Sequence, residues 1–291
     1  MYNLLSIYTD TRSKRTMPYT NVLCHKRNYY MKFIQTILTL TLLYLITSCS
    51  NGKLEEKGFQ VSPTSDNAEN EEADGLNSDS LKFDTRPSSV LLTGVPNVRL
   101  TTIYKVNINK RNNATFIGSD DFHYRYEDPE QNKGNNWNNN LMPGLEAVYG
   151  YNMVNISHYD IKANKQKNFF DKPVLVKTLY YPAFSKDTLN YSPVNRDYFI
   201  VSVYNDDTNK DGFINLKDLR RLYLFNINGE KQKALIPENY SVFKSEYDPD
   251  NDFMYVFAQL DNNNNGRQNE GEPIHIFWID LKDPNNTGRQ Y

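Results

Sequence analysis

The chain has 291 residues, 38% of them apolar and 13% aromatic, with a formal net charge of −2. That is enough apolar material for a buried core in one or two domains. The near-neutral balance offers no basic footprint, so no nucleic-acid partner is expected. Tyr is abundant, at 22 residues, and short runs of Tyr, Phe, Ile and Val favour strands. No heptad pattern or long amphipathic helix is present, so an all-β class is expected.

Residues 1–30 contain Arg12, Lys14, Arg15, Lys26 and Arg27 without a fold pattern, and read as an upstream extension ahead of a true start at Met31. Residues 31–48 read as a signal peptide: Met31-Lys32, an apolar run from Phe33 to Ile46, then Thr47 and Ser48. The run is too short for a bilayer span, which takes ~20 residues. Leu45-Ile46-Thr47-Ser48-Cys49 resembles the lipobox of bacterial lipoproteins. The resemblance implies that Cys49 becomes the lipid-bearing N-terminus, and the alternative is a single-pass anchor. Ser50 is similar to the outer-membrane sorting pattern, which implies an outer-membrane lipoprotein on the periplasmic or cell-surface side. Cys24 would be lost with the extension, leaving Cys49 alone and no disulfide framework.

Residues 49–87 are polar and acidic, as in Ser65-Asp66-Asn67-Ala68-Glu69-Asn70-Glu71-Glu72-Ala73-Asp74, and read as a disordered tether. The folded domain is expected over residues 88–291. A strand-like run recurs in it as Ile103-Tyr-Lys-Val-Asn107, Ile156-Ser-His-Tyr-Asp160, Tyr223-Leu-Phe-Asn226 and Ile276-Phe-Trp-Ile-Asp280. A Tyr-Pro element precedes the last three, ending at Pro129, Pro193 and Pro249. Such periodicity, with several strands per unit, suggests a propeller-like array. Tyr247-Asp-Pro249-Asp-Asn-Asp-Phe-Met-Tyr-Val-Phe and Tyr191-Ser-Pro193-Val-Asn-Arg-Asp-Tyr-Phe-Ile-Val resemble the strand-turn-strand of TolB-like β-propeller blades. The resemblance implies a small or incomplete propeller of antiparallel strands. The alternative is a generic antiparallel sandwich.

Two segments carry the clearest chemistry. Asp207-Thr-Asn209-Lys-Asp211-Gly212-Phe213-Ile214-Asn215-Leu-Lys-Asp218 and Asp261-Asn-Asn263-Asn-Asn265-Gly266-Arg267-Gln-Asn269-Glu-Gly-Glu272 both read D-x-N-x-[DN]-G-x5-[DE]. This resembles the EF-hand calcium loop, in which oxygens at positions 1, 3, 5, 7, 9 and 12 wrap a hard cation. Side chains serve at 1, 3 and 5, a backbone carbonyl at 7 (Phe213, Arg267), often a water at 9 (Asn215, Asn269) and a carboxylate at 12. The Gly at position 6 admits positive φ for the sharp turn. Ca2+ is therefore the expected cofactor.

The first loop carries three carboxylates and closes with the shorter Asp218. The second carries two, but its Glu272 can reach bidentately. Ile214 supplies an apolar anchor at position 8, whereas Gln268 does not. The flanks read as strands, not as the helices of an EF-hand. The first loop is also similar to a dockerin repeat, but dockerin loops lie closer together and precede helices.

No G-x-S-x-G, H-E-x-x-H or phosphate-binding Gly loop occurs. His123, His158 and His275 read as strand or surface residues, and Trp137 as a packing residue. No catalytic residue is assigned and an enzyme is disfavoured. The expected function is a membrane-anchored calcium-binding lipoprotein whose β-repeat domain binds a glycan, peptide or envelope protein. The alternative is a propeller-type hydrolase or lyase of extracellular polysaccharide or peptide.

Overall fold

The computed structural model describes residues 57–61, 83–117 and 142–291. The upstream extension, the signal peptide, Cys49, most of the tether, Tyr126–Pro129, His123 and Trp137 lie outside the described residues. The described chain forms strands β1 (Gly58–Gln60), β2 (Thr85–Leu92), β3 (Val98–Ile108), β4 (Thr115–Ile117), β5 (Leu145–Val148), β6 (Met153–Asp160), β7 (Lys165–Asn168), β8 (Leu175–Pro182) and β9 (Asp187–Leu189). It continues with β10 (Ser192–Val194), β11 (Tyr198–Tyr204), β12 (Phe213–Asn215), β13 (Arg221–Asn226), β14 (Lys231–Ala234), β15 (Tyr240–Asp248), β16 (Phe253–Leu260), β17 (Ile274–Asp280) and β18 (Thr287–Arg289). Every pairing is antiparallel and no helix occurs among the described residues, so the fold is all-β.

The strands resolve into three four-stranded meanders. The first is β2-β3-β6-β7, the second β8-β11-β13-β14 and the third β15-β16-β17-β18. The first two join into one sheet through a single pair, Met153 opposite Val176. The sheets do not close into a barrel, an arrangement compatible with an incomplete propeller.

Three of the four recurring runs are equivalent. Asp160, Asn226 and Asp280 each end the third strand of a meander. Each turns the chain by accepting backbone N–H groups on Oδ1: from Lys162 (2.9 Å) and Ala163 (3.0 Å), from Asn228 (3.0 Å) and Glu230 (3.0 Å), and from Lys282 (2.9 Å). Asn107 instead lies within a second strand, fully buried. Its Oδ1 accepts from Asn152 Nδ2 and its own Nδ2 donates to Lys105 O. Its likeness to the others in sequence comes from strand composition, not from an equivalent place.

Every residue of β11 is buried, because its two faces meet different cores. Tyr198 and Ile200 face a cluster with Leu222, Met254, Val256 and Ile279. Phe199, Val201 and Val203 face another with Leu100, Ile156, Leu179, Tyr223 and Phe225. The second meander is thus packed on both sides, which explains its continuous apolar run. β16 alternates instead: Met254, Val256 and Ala258 are buried, while Phe253, Tyr255 and Phe257 on the other face are partly exposed. There Phe253 stacks on Trp278 with ring centroids 5.1 Å apart.

The second and third meanders are also pinned by a buried ion pair. Arg196, just before β11, grips Asp252, just before β16, with N···O distances of 2.8 and 3.0 Å. Tyr247 Oη donates to the same carboxylate at 3.1 Å, and Tyr198 Oη donates to Leu281 O at 2.7 Å. Burial next to the Asp252 charge pushes the Tyr247 and Tyr198 hydroxyls well above the ordinary tyrosine range.

Two described segments that reach into the residues read as a tether, 49–87, lie in strands. Thr85–Leu92 is a strand, and Gly58–Gln60, inside the expected tether, pairs with β12 of the first loop. The reason is Phe59: it is buried with Ile214, Tyr204 and Leu175, so this short segment has apolar surface to bury.

Candidate metal centre

Both D-x-N-x-[DN]-G loops occupy the same place in their meanders, between second and third strands: β11 and β13 flank the first, β16 and β17 the second. The strand reading of the flanks is therefore what the structure shows. The two loops also share one backbone path. In each, the carboxylate at position 1 accepts the N–H of positions 5 and 6. Asp211 N and Gly212 N reach Asp207 at 3.0 and 2.8 Å, and Asn265 N and Gly266 N reach Asp261 at 3.0 and 2.9 Å. The position-3 Asn accepts from position 5, at 2.9 Å (Asn209) and 3.0 Å (Asn263). The position-5 side chain accepts from position 7, at 3.1 Å (Phe213 N to Asp211) and 2.9 Å (Arg267 N to Asn265).

The closing carboxylate ties the two ends of each loop together. Asp218 accepts from Thr208 N at 2.9 Å and Asn215 N at 2.8 Å; Glu272 accepts from Asn262 N at 3.2 Å and Asn269 N at 3.3 Å. Left-handed φ falls at the same two positions: Lys210 (57°) and Gly212 (85°), Asn264 (56°) and Gly266 (70°). All twelve sequence-derived positions therefore lie on two matched frames.

The surroundings differ. Ile214 is buried against Phe59, and Val61 N donates to Gly212 O at 2.9 Å, so β1 braces the first loop. Gln268, its counterpart in the second loop, is exposed. Asp218 is 1% exposed. Burial raises its pKa above the ordinary Asp value, while N–H donors from Asn215, Asn209 and Thr208 partly offset that rise.

The loops touch one another, which the 54-residue separation (207→261) does not reveal. Thr208 Oγ1 lies 2.7 Å from Gly266 O and 3.2 Å from Asp218 Oδ1, and accepts from Leu219 N at 2.8 Å. A Cβ on Gly266 would stand 1.9 Å from Thr208 O, whereas one on Gly212 would meet nothing within 4 Å. Arg267 reaches across to Asp211 at 4.0 Å. The interlocking glycine is the signal that sequence reading missed: Gly266 looked like a turn residue only, yet it is also a contact point.

Among the described residues, no group of three or more His, Cys, Asp or Glu side chains forms a metal-holding cluster. The loops offer a different donor set, rich in amide and backbone oxygens. The oxygens of Asp207 and Asp261, and Oδ1 of Asp211, accept one N–H each and so keep a second lone pair, whereas Asp218 Oδ1 already accepts from Thr208 N, Thr208 Oγ1 and Asn209 N. Asn209 Nδ2 is buried without a hydrogen-bond partner, but as a donor it adds nothing to a cation's shell. The oxygen-rich donor set is of the type a hard divalent cation takes.

His158 and His275 are strand residues, as expected. His158 Nε2 bonds Ile227 O at 2.8 Å and His275 Nδ1 bonds Tyr240 Oη at 2.7 Å. Asp248 forms a turn, accepting from Asp250 N at 2.9 Å. Asp252 stands at positive φ, but its side chain belongs to the buried pair with Arg196. In comparisons with known proteins, the chain matches no family model and no curated protein.

Proposed function

We propose that this chain is a calcium-stabilised, lipid-anchored extracytoplasmic protein whose β-repeat domain serves as a binding module. The observation that supports this best is the matched path of the two loops. Two segments of different composition reproduce the same hydrogen bonds and the same two left-handed positions. Asp207, Asn209, Asp211, the Phe213 carbonyl, Asn215 and Asp218 would hold one cation. Asp261, Asn263, Asn265, the Arg267 carbonyl, Asn269 and Glu272 would hold the other.

A bound cation supplies positive charge where carboxylates gather. The chain's own part is to keep the loops in shape, so that little ordering remains to be done on binding. Extracellular-type affinities of about 10⁻⁵–10⁻³ M are expected. The lipid anchor rests on the signal and the Leu45–Cys49 motif. The test is calorimetric titration with Ca2+ together with thermal melts in Ca2+ and in EDTA. Two binding events and a higher melting temperature in Ca2+ are expected; no heat and identical melts would overturn the reading.

A further inference from the structure

An open groove of about 1040 Å³ lies beside the first loop, just above the usual size of drug-sized ligand pockets, about 300–1,000 Å³. Four parts of the chain build it: β1, Phe83 and Asp84 before β2, the β3–β4 hairpin and the first loop itself. Its charge is one-sided. Lys57, Lys105, Lys110 and Lys217 line it, against Asp84 and Asp211. Lys105 is buried, with its Nζ donating to Gly58 O at 3.2 Å and lying 5.8 Å from the centre of the Phe83 ring. This fixes one ammonium group in the wall, while Lys110 and Lys217 stand at the exposed rim.

Asp211 is position 5 of the first loop. A cation bound there would withdraw that carboxylate from the groove's balance, leaving four positive charges against one. Between the lysines lie two phenylalanine rings, the half-buried Phe83 and the exposed Phe213, together with the amides of Gln60 and Asn215.

We infer that this groove binds an acidic oligosaccharide, its carboxylate or sulfate groups met by the lysines and its ring faces by Phe83 and Phe213. Ammonium groups form strong charge-assisted hydrogen bonds to such anions. Amide side chains match sugar hydroxyls as donors and acceptors at once. An acidic peptide would meet the same lysines, but the ring faces and the paired donors and acceptors of Gln60 and Asn215 suit the rings and hydroxyls of a sugar. This inference deepens the calcium reading, because the first loop forms one wall and Ca2+ would both stiffen it and remove a repelling charge.

The test uses the full chain and isothermal titration with a sulfated galactan hexasaccharide, its desulfated counterpart and a poly-glutamate peptide, each in Ca2+ and in EDTA. The sulfated sugar is expected to bind at least tenfold more tightly than the other two, and more tightly in Ca2+. Replacing the rim lysines together, Lys110→Ser with Lys217→Ser, should weaken it roughly tenfold, about the size of one lost charge-assisted contact. That variant should stay folded, with a parental melting temperature in EDTA, and should still take up calcium. Equal binding of both sugars, no binding of either, or parental affinity in the double variant would overturn the inference. Poly-glutamate binding as tightly as the sulfated sugar would overturn the assignment to a glycan. Calcium uptake without anion binding sinks the groove and leaves the calcium reading standing. Lysine-dependent anion binding that ignores EDTA supports the groove and counts against calcium in the first loop.

Discussion

The two loops follow one backbone path in unlike settings. The first is clamped from both sides: β1 pairs along its Phe213–Asn215 strand, and the second loop presses on Thr208. The second has no strand along it among the described residues, and its position 8 is an exposed Gln. Their glycines show the difference most plainly. Both occupy the left-handed region, but Gly212 faces open space while Gly266 lies against the backbone of the other loop. A shared motif therefore specifies local shape, and the neighbours decide what each copy supports.

The largest expected effect separates those glycines. Gly266→Ala must push its Cβ through the Thr208 carbonyl or part the loops, and should cost about 3 kcal/mol or more. Gly212→Ala meets only the left-handed backbone penalty of about 1–2 kcal/mol. Chemical denaturation of both variants measures the gap, and equal losses would show that the loops do not bear on each other.

Next in size is calcium removal. At a free concentration of 100 times its dissociation constant, one bound ion stabilises by about 2.7 kcal/mol. The first loop, with three carboxylates, should fill at lower Ca2+ than the second when Asp207→Ala and Asp261→Ala are titrated separately. The reverse order would mean that the bidentate reach of Glu272 outweighs charge count.

Thr208→Val tests the link between the loops. The hydroxyl has one proton, placed between Asp218 and Gly266 O, and it also accepts from Leu219 N. Its loss strands those partners at about 1–2 kcal/mol. Filling of the two sites should then become less coupled, seen as a calcium isotherm closer to two independent events. A parental isotherm would assign the contact to packing alone.

The smallest effect concerns pH. Asp218 binds its proton more tightly in the folded state than an ordinary Asp does, because burial disfavours its charge. In calcium-free protein, its contribution to stability is fully present below the ordinary Asp pKa. That contribution is lost as pH rises through the raised value. Calcium offsets the buried charge, so the stabilisation it confers should be greater at pH 7 than at pH 4. Melts with and without Ca2+ at both pH values check this; a larger gain at pH 4 would contradict the sign.

Much of this was legible in the residues because it is local. Tyr198–Tyr204 and Phe253–Ala258 both read as strands from their aromatic and β-branched residues, while the covering of the first on both faces and of the second on one is seen only in the structure. Gly212 and Gly266 stand where the turn needs positive φ. What could not be read was which similar runs are equivalent, since Asn107 and Asn226 differ only in their place within a meander. The role of Phe59 was hidden for the same reason: one apolar residue in a polar stretch has no periodicity to betray its partner.

The sequence alone determined the β class and the two loops, because backbone preference, side-chain alternation and ligand spacing are properties of a dozen consecutive residues. Tertiary structure alone decided that the loops touch, that Arg196 and Asp252 pin two meanders together, and that four lysines line one groove. The first two join residues 58 and 56 positions apart (Thr208 to Gly266, Arg196 to Asp252). Nothing in the local chain records them, and only the stacking of the sheets brings them within reach.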